Sequence, residues 1–416
     1  KFLFWIGLCG ISVTTSYAQN INLKNAHILI SPQITSPMQE TVVEVLQEEI
    51  QNRSGILLKK QGAWQKNNTP TIALALASDS QLFGQNVPKS EQKINNEGFR
   101  IFTETNGKSP IIWIIGADSR GILFGAGWLL RHLEFSQGNI NFNQPVDLTT
   151  APVQSMRGHQ LGYRNTANTY DAWTVKQFDQ YIRELAIFGS NAVEGIPFEE
   201  QEKTSPHYKI SPPEMRTKMS EICQKYDMDY WVWTPVIFDL KETDKRQKEL
   251  KNFEALFTAS PRLDHVFVPG GDPGHNHPSL VLPFLKDLQA LLVKYHPKAK
   301  VWVSLQGFNV EETDYFYNYL EMHKPHWLEG VVTGPGSPPA AETRYRLAKN
   351  YKHRQYPDIT HNVRCEFPVA ELDQAFAVTL GREAINPRPY AFAQIHQNFV
   401  PFTDGFVSYS DGSHDD

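Results

Sequence analysis

The densest run of chemistry-bearing residues in this chain is Val268-Pro-Gly-Gly-Asp-Pro-Gly-His-Asn-His277. Asp272 follows an apolar stretch and stands between Gly270-Gly271 and Pro273-Gly274, on a tight backbone that cannot easily turn its carboxylate away. A carboxylate held in this way suits general acid-base work. Cleavage of a glycosidic bond normally takes two carboxyl groups, one to protonate the leaving oxygen and one to act as base or nucleophile. Glu366 and Asp411 are the candidate partners, each following a strand-like run. Glu366 sits in the apolar frame Cys365-Glu-Phe-Pro, where a carboxylate is costly to bury unless paired, with Arg364 or with a ligand. Two bland alternatives stand beside this. Asp272 could merely hold its own loop through turn hydrogen bonds, and Glu366 could belong to a structural ion pair. Glu194 is a weaker candidate, because Gly195-Ile-Pro197 could simply place it at a bend.

His275 and His277 form an H-x-H pair and raise a metal-dependent hydrolase as a second possibility. A catalytic zinc takes three protein ligands and keeps one position open. Asp272, His159, His361 or Asp411 could complete such a set, although H-x-H alone is a weak signal. Trp233, Trp302, Tyr163, Tyr409 and Trp231 are candidate sugar platforms, since aromatic faces stack on sugars. Strand residues alternate between two faces, so some of these rings must be core. Arg157, His159, Tyr163, His275, His277 and Arg364 complete the expected substrate-binding set. No Gly-x-Ser-x-Gly elbow occurs, so a serine triad is not supported.

The elements that must position these residues fall into two rhythms. Between residues 25 and 134, strand-like runs at Asn25–Ser31, Ile56–Leu58, Thr71–Ala75, Gly98–Phe102 and Ile111–Ile115 mix with two helical stretches. Pro37–Ile50 has helical spacing through Val42, Val45, Leu46 and Ile50, and Ile122–Leu133 follows a Ser119 cap. Polar, turn-rich residues 136–152 read as a linker between an α/β domain at 19–135 and a second domain at 153–416. In the second domain, short apolar runs alternate with amphipathic helices. The expected strands are Met156–Leu161, Asn191–Ile196, Asp229–Trp233, His265–Val268, Lys300–Leu305, Gly330–Thr333, Ile359–Cys365 and Gly405–Tyr409. Eight such units over about 260 residues fit a (β/α)8 TIM barrel, whose active sites lie at the C-terminal ends of the strands. A doubly wound open sheet is the alternative, but no glycine-rich phosphate loop opens it.

Length and composition agree with a packed fold: 416 residues, 40% apolar and 20% charged. A net charge of −5 carries no nucleic-acid footprint. Residues 1–18 read as an export signal, with Lys1 before an apolar run to Val13 and a small-x-small site at Ser16-Tyr17-Ala18. That run falls short of the roughly 20 apolar residues of a membrane span, so a secreted or periplasmic protein with no span after signal removal is expected. Cys223 and Cys365 remain in the mature chain, as buried thiols rather than a disulfide framework. No closing helix follows the eighth strand, so the barrel is expected to be truncated at its C-terminus.

On Glu97-Gly-Phe99, Ile111–Ile115, Ala117-Asp-Ser-Arg-Gly121 and Gly125-Ala-Gly-Trp-Leu-Leu130, the chain resembles glycoside hydrolase family 20 and its relatives, including the α-glucuronidases. These place a small α/β domain before a catalytic TIM barrel. In family 20 the fourth strand ends in Gly-Gly-Asp-Glu, where the Asp orients the substrate acetamido group and the Glu is the general acid. Here Gly270-Gly271-Asp272 matches, but Pro273 stands in place of the Glu and cannot donate a proton. The resemblance therefore implies either an acid from another strand, Glu366 or Asp411, or a substrate other than an N-acetylhexosamine. A glucuronidase-like acidic sugar would want a cation, and Arg157, Arg164 and Arg364 are available. It implies an oligosaccharide or polysaccharide substrate and no cofactor. Pro273 also motivates a third possibility, a glycan-binding protein without catalysis.

Overall fold

A computed structural model describes residues 20–65, 69–105, 109–143, 146–161, 170–195, 209–358 and 389–410, without the side chains of Asp171 and Ser410. The chain divides into two compact units at Thr150–Ala151, with Thr35–Val42 counted in the second.

The first unit is built on a six-stranded sheet in the order Asp147–Thr150, Phe99–Glu104, Ile111–Gly116, Thr71–Leu76, His27–Ile30 and Lys59–Lys60. The four strands from Ile111–Gly116 to Lys59–Lys60 run parallel, and the other two are antiparallel to their neighbours. Ile111–Gly116 is buried along its whole length, as a central strand covered on both faces must be. Helix Ser119–His132 packs on this sheet, and its cap is Asp118 rather than the expected Ser119. One Asp118 oxygen accepts from Gly121 N and the other from Glu97 N, both at 2.8 Å. Arg120 pairs with Glu97 at 2.8 Å. Glu97-Gly-Phe99 and Ala117–Gly121 are thus two halves of one lock, and their role is structural.

Residues 136–152 are not a linker. Glu134–Ser136 and Asn139–Phe142 pair as a hairpin joined by Ile21–Asn22, and Asp147–Thr150 is the edge strand of the main sheet. The segment looks like loop in sequence because half-exposed edge strands carry polar residues on one face. Ile140 and Phe142 are buried, while Asn139 and Asn141 are only partly so.

In the second unit, Met156–Leu161, Ala192–Gly195, Asp229–Trp233, His265–Pro269, Lys300–Ser304, Leu328–Thr333, Lys352–Gln355 and Gly405–Ser410 close into an eight-stranded parallel barrel. Helices cover the gaps between strands. In Pro278–Tyr295, Val281, Leu282, Phe284, Leu285, Leu288 and Leu292 are buried, each such side chain contributing roughly 1.5–3 kcal/mol relative to exposure.

The seventh strand corrects the expectation from sequence. It is Lys352–Gln355, not Ile359–Cys365, which lies outside the described residues. Lys352-His-Arg-Gln355 carries no aliphatic residue, so a search for apolar runs passes over it. Its three buried side chains, His353, Arg354 and Gln355, are polar and each finds a partner, Gln355 Oε1 accepting from Thr333 Oγ1 at 3.3 Å. His353 Nδ1 meets Phe402 O at 2.7 Å and Nε2 meets Thr333 Oγ1 at 2.8 Å. Arg354 pairs with Glu194.

Candidate functional site at the barrel mouth

Register decides which side chains reach the lumen. Gln160 aligns with Glu194 and with Tyr409, Glu194 with Trp231, and Trp231 with His265. Trp233 aligns with Phe267, Phe267 with Trp302, and Val332 with Arg354. Contacts place this set inside. Gln160 Nε2 donates to Glu194 Oε1 at 2.5 Å, Arg354 Nη2 donates to Glu194 Oε2 at 2.5 Å, and the Arg354 guanidinium lies 4.3 Å from the Trp231 ring centroid. Residues one position away therefore face the helices.

The deep lumen is a packed core. The Trp231 and Trp302 rings pack tilted at 48° with centroids 5.1 Å apart, and Trp302 Nε1 donates to His265 Nδ1 at 3.1 Å. Burial, aided by the Arg354 charge, pushes the His265 pKa well below the usual histidine range. Trp302 is fully buried here and is no sugar platform. Trp233 lies two residues nearer the mouth than Trp231 on the same face of the strand, and it too is buried.

The rim is a set of loops bonded to one another. Gly270 N donates to Ser304 O at 3.1 Å, Gly271 N to Gln306 O at 2.9 Å, and Gly307 N to Gly336 O at 3.3 Å. Asn276 is buried and joins the third and fourth loops. Its Oδ1 accepts from Leu240 N at 2.9 Å, and its Nδ2 donates to Phe238 O at 2.8 Å and Gly274 O at 3.3 Å. Glycine is required at two positions. A Cβ on Gly271 would lie 2.8 Å from the Phe308 ring, and one on Gly274, at φ +118°, would lie 1.9 Å from Val236 O.

On this rim Asp272 is exposed, with Gln306 Nε2 at 3.4 Å from its Oδ2. His275 is exposed on the same loop at φ +52°. His277 is not part of the site. It caps helix Pro278–Tyr295, with Nδ1 accepting from Ser279 N at 3.1 Å, and its ring packs 5.2 Å from Tyr315. Among the described residues no three His, Cys, Asp or Glu side chains gather to hold a metal ion.

The arginine and histidine of the first strand are also placed elsewhere. Arg157 belongs to the opposite end of the barrel, where Nε donates to Gly189 O at 2.9 Å and Nη1 to Gln154 O at 2.8 Å. His159 faces outward, with Nδ1 2.9 Å from Ser408 Oγ and its ring 6.1 Å from Tyr181. Both lie on the row that alternates with Gln160, so strand pleating alone removes them from the lumen. Tyr409 points inward, with its ring 5.6 Å from Tyr356. Tyr163, Arg364, Glu366 and Asp411 lie outside the described residues, as do Arg164 and His361.

Four residues at the site were not expected from sequence. Arg354, Tyr356 and Asp358 all follow from the true seventh strand, and Gln160 is the inward residue of the first. Asp358 is buried just past that strand, bridged to Tyr409. The pattern Tyr356-Pro-Asp358 after a short polar run was the available signal, hidden because the run itself is not apolar.

Glu194 is fully buried, and burial lifts its pKa while the Arg354 charge opposes the lift. Arginine does not surrender its proton in proteins, so the pair is a carboxylate and a guanidinium. Glu194 is therefore not at the surface of the mouth. It anchors the floor.

Residues 16–127 match the family model described as Glycosyl hydrolase family 67 N-terminus. No protein of curated function matches the sequence. Among solved structures, the chain is similar to the family 20 β-N-acetylhexosaminidase of Streptomyces coelicolor A3(2), with TM-score 0.63 and 10% identity over 95% of this chain and 84% of that one. It is similar to the chitobiase of Flavobacterium johnsoniae at TM-score 0.58 and 13% identity, covering 95% of this chain and 65% of that one. An exo-β-N-acetylglucosaminidase of Vibrio harveyi gives TM-score 0.61 and 9% identity, over 95% and 68% of the two chains. At these identities the likeness is one of fold: a small α/β domain followed by a TIM barrel, as in family 20 and its relatives.

Proposed function

We propose that this protein is a glycoside hydrolase that binds a glycan at the C-terminal mouth of the barrel. The observation that carries the reading is Asp272, an exposed carboxylate on a loop whose backbone is bonded to the neighbouring loop at the C-terminal ends of the strands. Active sites of this barrel class lie at this end. The family model of the first unit and the fold likeness point the same way. Asp272 supplies one carboxyl group. The second comes from Asp358, just past the seventh strand, or from Glu366 or Asp411, which follow the seventh and eighth strands in sequence. A separation of about 5–5.5 Å between the two would make the enzyme retaining, and roughly 6.5–9.5 Å inverting. With Pro273 beside Asp272, the proton donor stands on a different strand from the orienting carboxylate. Hexosaminidase-like and α-glucuronidase-like specificities are the two finer readings, and residues 1–18 direct export to the periplasm or medium. Among the described residues, no helix is long and apolar enough to cross a membrane.

Hydrolysis screening of the full-length gene product on a glycan panel tests the proposal. We expect release of a reducing sugar from one member, abolished in Asp272→Asn. Tight sugar binding with no product on any member would favour a glycan-binding protein instead. Turnover unchanged in alanine variants of Asp272, Asp358, Glu366 and Asp411, each made singly, would remove the carboxylate mechanism.

A further inference from the structure

Asp272 does not fasten its own loop. An aspartate set between Gly-Gly and Pro-Gly commonly bonds back to the turn it occupies. Among the described residues, the hydrogen bond its carboxylate takes comes instead from the next loop, from Gln306 Nε2 at 3.4 Å. The fifth loop, residues 304–308, lies along the fourth. The Phe308 ring runs alongside the backbone of Gly270 and Gly271, where a Cβ would stand 2.7 Å and 2.8 Å, respectively, from a ring carbon. Gly271 N donates to Gln306 O at 2.9 Å. Gly307, at φ +77°, abuts Asp272 itself: a Cβ there would stand 2.8 Å from Asp272 Cβ and 2.9 Å from its backbone nitrogen. Gly307 N donates in turn to Gly336 O at 3.3 Å, which ties the fifth loop to the sixth.

Each part of this contact has a chemical reason. A left-handed φ is open to glycine without steric cost, and any side chain at position 307 would claim the space that the Asp272 methylene fills. A carboxylate only accepts, so the Gln306 amide presents its nitrogen to Oδ2. Stability explains little of the arrangement, because the bond is exposed and water competes for both partners. Orientation explains more. An aspartate on an exposed loop has χ1 and χ2 to fix, and a reacting group slightly out of place loses rate steeply. Backbone bonds hold the loop, whereas the carboxylate is held only by contacts to the side chain, and Gln306 and Gly307 supply them.

We infer that Gln306 and Gly307 are the positioning residues of Asp272. Gly307 leaves the space that its Cβ occupies, and Gln306 sets the orientation of its carboxylate through Oδ2 before any substrate binds. The inference rests on the glycan reading above for the chemistry that Asp272 performs, while the clamp itself rests on the geometry of the two loops.

Crystals of the unliganded protein test the clamp, and kinetics on the glycoside that the panel identifies test its use. In the wild type the Asp272 carboxylate should lie against Gln306, and in Gly307→Ala it should be displaced and turnover lost. Gly189→Ala carries the same left-handed strain, at φ +90° with nothing within 4 Å, at the far end of the barrel, and should keep full turnover. The Gln306 variants disturb no backbone. Gln306→Leu should lower kcat about tenfold, the scale of one hydrogen bond of roughly 1.4 kcal/mol, with KM and Tm close to wild type. Gln306→Glu keeps the shape but sets a second carboxylate beside the first. Only a protonated glutamate can donate, so its kcat relative to wild type should rise as the pH falls. An Asp272 carboxylate turned away from Gln306 in wild-type crystals, full kcat in Gln306→Leu, or a Gln306→Glu ratio indifferent to pH would each overturn the inference. A carboxylate held against Gln306 in a protein that cleaves nothing on the panel would remove the glycan reading and leave the clamp. Turnover abolished in Asp272→Asn but untouched in Gln306→Leu would do the reverse.

Discussion

The Asn276 staple gives a quantitative handle on how the mouth is held. Asn276→Ala leaves the buried Leu240 N–H without its 2.9 Å acceptor and Phe238 O without its 2.8 Å donor. An orphaned buried donor costs about 1–3 kcal/mol, and the lost donation to Phe238 adds about 1 kcal/mol, for a total of roughly 3 kcal/mol. For a unit of this size each kcal/mol moves Tm by about 2–4 °C, so the transition should fall by roughly 6–12 °C. The local effect is larger than the global one. The fourth loop carries Asp272, and a displacement of about 1 Å at a reacting group can cost on the order of 100-fold in rate. Differential scanning calorimetry and kcat on the identified glycan measure the two together. Asn276→Asp should do no better than alanine, because it keeps the acceptor for Leu240 but turns an oxygen toward two carbonyls. A Tm within about 1 °C of wild type for Asn276→Ala would refute the staple, on the roughly 3 kcal/mol expected for it.

Three further outcomes follow from the same geometry. His277→Ala should cost about 1 kcal/mol as a lost helix cap, recovered by His277→Ser, with kcat/KM unchanged in both; a large kinetic effect would return His277 to the site. Gly274→Ala should destabilise and inactivate, since its Cβ would meet Val236 O at 1.9 Å, while Gly62→Ala, with nothing within 4 Å, is the neutral control in the same melting assay. Burial lowers the His353 pKa to about 4 in the folded chain. The unfolded chain binds a proton near pH ~6.5, so stability is lost as pH falls from there toward 4, by at most about 3 kcal/mol. Urea unfolding between pH 7 and 4.5 should show a shallower loss for His353→Gln than for wild type; identical slopes would exclude the residue as a source of acid sensitivity.

Much of the scaffold was legible without coordinates. Seven of the eight barrel strands announce themselves as short runs between helical periods, because a parallel strand buried on both faces is a hydrophobic run. The mouth loop was legible for a different reason. Gly-Gly-Asp-Pro-Gly is a local backbone statement, and the close approaches of Gly271 and Gly274 are what such a string encodes. The failures share one cause. Arg157, His159, His277 and Trp302 are the right residue types near the right strands, but alternation and depth send one out to the helices, one to the barrel's far end, one to a helix cap and one into the core.

The sequence by itself therefore determined the class of fold, the end of the barrel to inspect and Asp272 as the residue to test. Tertiary structure alone decided the seventh strand and everything built on it. His353, Arg354 and Gln355 are buried only because Glu194, some 160 positions before Arg354, and Thr333 and Phe402 supply their partners. Periodicity reads what a segment does alone with water. It does not register a polar strand whose charges are neutralised by residues that only closure of the barrel brings near.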